Sequence, residues 1–169
     1  MKSFRIISAF ALGAFAVAFL PTAAMADDTV TTFEITGGTL SYTAAATADL
    51  GTDPSGTTAI SGSLGAVSVT DNRGGTVVWE ALGSSTDFTG ALGSTSSAVS
   101  YTGGAVTETG TITVADGTAT TLSTTATSVV APTILSGNNT ASWNPTLNVT
   151  MPANALADTY SGIVTTSIS

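Results

Sequence analysis

Beyond residue 26, apolar residues alternate with polar ones at a period of two in short runs, and no window carries them at a helical period. The clearest run lies near the C-terminus. Trp143, Pro145, Leu147, Val149 and Met151 alternate with Asn144, Thr146, Asn148 and Thr150, which predicts a strand with one apolar and one polar face. Pro145 cannot donate to a ladder, so an edge position or the start of a strand is expected there, and Pro152 ends the run. Residues 159–169 predict a last strand with Tyr160, Val164 and Ile168 on one side. Upstream, 30–36 and 39–43 predict strands on either side of a turn at Gly37-Gly38. Residues 64–70 predict another, with Val67 and Val69 facing one way, and 71–75 (Asp-Asn-Arg-Gly-Gly) a turn. The run 76–82 is apolar on both faces, which predicts a central strand. Residues 99–102, 109–114 and 128–135 complete the set, and 44–56 reads as loop. Thr107, Thr109, Thr111 and Thr113 alternate along one strand and are expected to face solvent.

Composition agrees with this pattern. Thr, Val and Ile restrict χ1 and suit pleated surfaces, while Gly, Ser, Asn and Asp punctuate the runs. Short strands separated by turn signals predict an all-β fold, an antiparallel β-sandwich of Ig-like or Greek-key type with about 7–9 strands. No fixed-period repeat is present, so a solenoid is not expected.

The first 26 residues follow a different pattern. Lys2 and Arg5 precede an apolar run from Ile6 to Leu20, Pro21 breaks it, and Ala24-Met25-Ala26 is a small-residue cleavage signal. The run is shorter than the ~20 residues of a membrane span, so residues 1–26 are expected to be a cleaved secretory signal peptide. Residues 27–169 would then form one domain, secreted or extracellular, with no membrane span. Removing the leader leaves Arg73 as the one cation against eleven carboxylates, a net charge of -10. Such a surface repels nucleic acid and anionic lipid.

Absences restrict the chemistry further. The chain has no His, Cys or Gln, and no Lys after Lys2. No disulfide can staple the fold, and no Lys–Asn or Thr–Gln cross-link can form. Serine lacks a His or Lys base, and the usual ligands of zinc, copper and haem are missing. No enzyme activity, catalytic residue or cofactor is therefore expected. Carboxylates able to cleave a glycosidic bond read better as solvating charges. Calcium needs only oxygen ligands, and its weak candidates are Asp71 with Asn72, or Asp49 with Asp53, although no EF-hand-type loop is present. Trp79, Trp143, Tyr101 and Tyr160 are candidates for a carbohydrate platform, weighed against a place in the core, where aromatics dominate the energetics.

Three blocks carry a family resemblance: 69–75 with Trp79 and 86–89; 100–103; and 141–147 with Val149, Pro152 and 159–162. Over about residues 60–169 they resemble the WxL-domain-like secreted proteins of Gram-positive, particularly actinobacterial, bacteria. The W-x-L triplet itself is not intact, since the tryptophans lie in Trp79-Glu80-Ala81 and Trp143-Asn144-Pro145. The resemblance implies a β-sandwich at the cell surface, with non-covalent attachment to peptidoglycan in true WxL domains. The expected function is that of a non-catalytic secreted or surface-associated protein, structural or adhesive, whose partner is a cell-wall polymer or another surface protein. The alternatives are a carbohydrate-binding module, calcium-assisted or not, and a pilin-like subunit that exchanges its last strand.

Overall fold

Among the described residues, 29–169, the computed structural model has thirteen strands and no helix; the expected leader lies outside them. Each strand forms where small or β-branched residues alternate, and each stops at Gly, Pro or a polar corner. One four-stranded antiparallel sheet runs in the order β1 (Leu40–Thr43), β3 (Val67–Asp71), β10 (Pro132–Trp143), β7 (Val106–Val114). A second runs β2 (Ala59–Ser63), β11 (Thr146–Thr150), β6 (Ala98–Gly104), β8 (Gly117–Leu122). A three-stranded sheet runs β13 (Val164–Ile168), β4 (Ala81–Ser85), β9 (Thr127–Val130), and β5 (Thr89–Gly90) pairs with β12 (Tyr160–Ser161). The architecture is the expected antiparallel β-sandwich, built of open sheets.

Burial follows the alternation. In β3, Val67 and Val69 point inward; in β11, Leu147 and Val149 do, followed by Met151. These residues join Tyr101, Ile112, Leu135 and Trp143 in one apolar core fed by all three larger sheets. At about 25 cal/mol per Å² of apolar surface removed from water, this core is the main favourable term, because no disulfide is present. Along β7, Thr107, Thr109, Thr111 and Thr113 face solvent as expected.

Several expected elements are corrected. The strand count exceeds 7–9 because β2, β5 and β8 form in segments that predict no strand and because single runs are cut in two. The run 143–151 breaks at Asn144-Pro145, so Trp143 ends β10 and Pro145 immediately precedes β11. The run 159–169 breaks at Gly162, where a Cβ would lie 2.7 Å from the Phe88 ring. Residues 30–36 form no strand, and Val30, Phe33 and Ile35 are 85–89% exposed. Gly37-Gly38 is therefore not a hairpin turn. Gly37 is small because a Cβ there would sit 2.4 Å from the Arg73 carbonyl oxygen, and Gly38 N–H donates to Asn72 O at 2.7 Å, extending the β1–β3 ladder. The strand expected over 76–82 starts only at Ala81; Val77 and Val78 are exposed, and the run's one deeply buried large side chain is Trp79. β4 does occupy the middle of its sheet. Strands β2, β5 and β8 carry too few large apolar residues to announce themselves in the sequence.

Candidate functional site

The aromatic candidates occupy the interior. Trp79 is 1% exposed, Trp143 4% and Tyr101 0%. The two indoles stack with centroids 6.3 Å apart and planes inclined by 10°. Trp143, at the end of β10, donates its indole N–H to the Tyr101 hydroxyl on β6 at 2.8 Å, tying the two four-stranded sheets together through the core. Burial pushes the Tyr101 hydroxyl up to about 12. Trp79 Nε1 and Asn139 Oδ1 are buried without a partner among the described residues. Tyr160 is only partly buried, packs against the core and donates its hydroxyl to Leu156 O at 2.6 Å. The four side chains thus do not assemble into a surface platform. Three of them organise the core instead.

The calcium candidates separate in the same way. Asp71 ends β3 and is 1% exposed, and both of its carboxylate oxygens are engaged by Arg73. Oδ1 accepts from the Arg73 backbone N–H and from Nε at 3.0 Å, and Oδ2 accepts from Nη2 at 2.8 Å. Hydrogen bonding from Arg73 holds the carboxyl below its ordinary value, against the opposing effect of burial. The same guanidinium donates to Val77 O at 2.7 Å, so the one cation among the described residues pins the chain leading to Trp79. Asn72 is exposed and contributes its backbone to the turn. Both Asp71 carboxylate oxygens are therefore committed to Arg73. Asp49 closes a small turn by accepting from Gly51 N–H at 2.9 Å, and Asp53 stands exposed in the same loop. No group of three or more acidic residues among the described residues is arranged to hold a metal.

What the surface offers instead is a shallow groove of about 560 Å³ lined by Thr86, Asp87, Thr89, Thr124, Ser161 and Ile163. The end of β4 and the β12–β13 corner meet here. Thr86 N–H donates to Ile163 O at 3.0 Å, and Ile163 N–H donates to Thr86 Oγ1 at 2.9 Å. The groove presents hydroxyls, one carboxylate and the exposed Ile163 side chain. Its residues come from three separate segments and share no motif, so no sequence signal could have assembled them. No helix among the described residues is long and apolar enough to cross a membrane. Comparison with known proteins gives no match to this chain, whether with family models, curated proteins or solved structures.

Proposed function

We propose that this protein is a non-catalytic, secreted or surface-associated β-sandwich with a structural or adhesive role. The observation that carries this reading is where the reactive-looking side chains go. Trp79, Tyr101 and Trp143 build the core, and Asp71 is committed to Arg73. Outside that interior the described strands present mainly Thr, Ser and small residues. A leader-like N-terminus and the lack of His, Cys and mature Lys support the same reading. The resemblance of residues 60–169 to WxL-domain-like proteins supports a cell-wall polymer as partner.

Carbohydrate binding is a second reading, favoured by the hydroxyl-lined groove with Asp87 at its rim. One experiment addresses both. The protein, expressed with its own leader and purified after processing, is incubated with isolated Gram-positive cell walls and sedimented. The expected outcome is co-sedimentation. Failure to pellet at every ionic strength overturns wall association, and loss of pelleting in Asp87→Asn alone moves the binding site to the groove.

A further inference from the structure

The hydroxyl-lined groove does not end at Ile163. Beside its volume of about 560 Å³ lies a shallower cleft of about 210 Å³ lined by Ser84, Ser85 and Thr165, and the two share Thr86, Thr124 and Ile163. Ser84 and Thr165 face each other across the β4–β13 ladder. Groove and cleft therefore form one elongated trough, and the groove alone falls within the roughly 300–1,000 Å³ of small-molecule sites.

The walls of the trough are fixed by the fold. Thr86 and Ile163 are tied to each other by two hydrogen bonds, one to the Ile163 carbonyl and one from the Ile163 N–H. Phe88 N–H donates to Ser96 Oγ at 2.9 Å, and Phe88 O accepts from Ser96 N–H at 2.8 Å. The Phe88 ring backs the wall at Gly162. Asp87 is held between these two anchored neighbours, and its own side chain is exposed. A wall already in place lowers the ordering cost of binding.

Charge then selects the ligand. Residues 27–169 carry one side-chain cation, Arg73, and its guanidinium is engaged by Asp71 and Val77 O. A phosphate, sulfate or uronate group meets no free side-chain cation and a strongly negative surface. Among the carboxylates, Asp49, Asp71, Glu108, Asp116 and Asp158 accept backbone N–H groups within the fold. Asp87 lines the trough instead. An exposed carboxylate in a wall of hydroxyls pairs with an ammonium group. The hydroxyls suit a polyol, and Ile163, 68% exposed, offers an apolar contact to the C–H face of a sugar ring. A lysine-bearing peptide would satisfy Asp87 but leave the hydroxyls unmatched.

We propose that the trough binds an amino-sugar oligosaccharide, a chain of hexosamine units with free ammonium groups. One ammonium sits on Asp87, ring hydroxyls bond to Thr89, Thr124 and Ser161, and one ring face rests on Ile163. This rests on the carbohydrate reading of the groove given above and narrows it to basic glycans.

The test is isothermal titration calorimetry on the purified, processed protein with β-1,4-linked hexamers of glucosamine, N-acetylglucosamine and glucose, and with a lysine hexapeptide. The glucosamine hexamer is expected to bind most tightly and to lose affinity as salt rises or as its amines are deprotonated. Asp87→Asn should weaken it about tenfold, the scale of one charge-assisted hydrogen bond, with an unchanged melting temperature because the side chain is exposed. Asp53→Asn, exposed in the loop 51–58, should bind like the wild type. Equal loss in both variants would mean general attraction to an acidic protein and overturn the site. Equal affinity for the three glycans would overturn the preference for amines and leave the groove a carbohydrate site. Binding of none of the glycans would defeat the carbohydrate reading as well, and tighter binding of the lysine peptide than of the glucosamine hexamer would overturn the sugar as ligand.

Discussion

Asp71 shows what one ion pair does in a protein with so few charges. Its carboxylate is buried at the end of β3, and Arg73 supplies three donors to it from two residues away. The folded state holds this carboxyl below its ordinary value of 3.8, so the pair's stabilisation is complete above about pH 4 and is lost as pH falls through the depressed folded value. Asp71→Asn is expected to be less stable than wild type by roughly 2 kcal/mol at neutral pH, the scale of hydrogen bonds to a charged group. The two proteins should converge on acidification. Urea unfolding at a series of pH values between 7 and 2 checks this, and parallel curves would refute it. At this scale the sequence was partly legible. Asp, Asn, Arg, Gly and Gly in succession do form a turn, but a turn signal does not reveal that the Asp side chain is buried within it. The aromatic residues were legible as core or platform, and only the fold decides between those, since a tryptophan's burial depends on what lies across from it.

Elements were legible where a strand carries several large residues, as β3, β6 and β11 do, and illegible where it is made of Ala, Gly, Thr and Ser, as β2 and β8 are. Small residues leave little apolar periodicity, yet they pair well when a neighbour sits close. Gly103 and Gly117 lie so near each other that a Cβ on Gly117 would come within 2.6 Å of the Gly103 Cα. Bulges were equally hidden. Between Ser136↔Thr111 and Asn139↔Gly110, β10 carries two extra residues, Gly137 and Asn138. Gly137 has φ +67°, and its N–H bonds to Gly75 O at 2.9 Å. Opposite it, Gly110 has φ +87°, and a Cβ there would meet Asn138 O at 2.5 Å. Gly110→Ala combines left-handed strain with a backbone clash and is expected to cost at least about 2 kcal/mol. Gly93→Ala shares the positive φ but has open space around it, so it should cost less. Comparing the two melting temperatures isolates the bulge.

At the scale of the molecule, no ladder among the described residues joins two strands that are consecutive in sequence. β1 pairs with β3, β2 with β11, and β4 with β9 and β13. The sequence could not show this, because the Gly- and Asn-rich segments that mark turns serve here as corners between sheets and not as hairpins. Fold class follows from local pattern, but partner choice follows from which buried faces fit together, and that information is spread over the whole chain. Non-local pairing makes loop closure precede its reward, so refolding is expected on the millisecond-to-second scale of all-β sandwiches. Stopped-flow tryptophan fluorescence, reporting on the Trp79–Trp143 stack, is the direct measurement; microsecond refolding would contradict this expectation.

The same connectivity governs how the chain behaves while it is being synthesised. As residues emerge in order, β1 finds its partner once β3 is out, but β2 must wait for β11, and the far side of β3 must wait for β10. β4 stays unpaired until Thr127–Val130 appear and has only one neighbour until Val164–Ile168 follow. For most of its synthesis the nascent chain therefore has almost nothing to lock into, and it stays threadable until its last strands arrive.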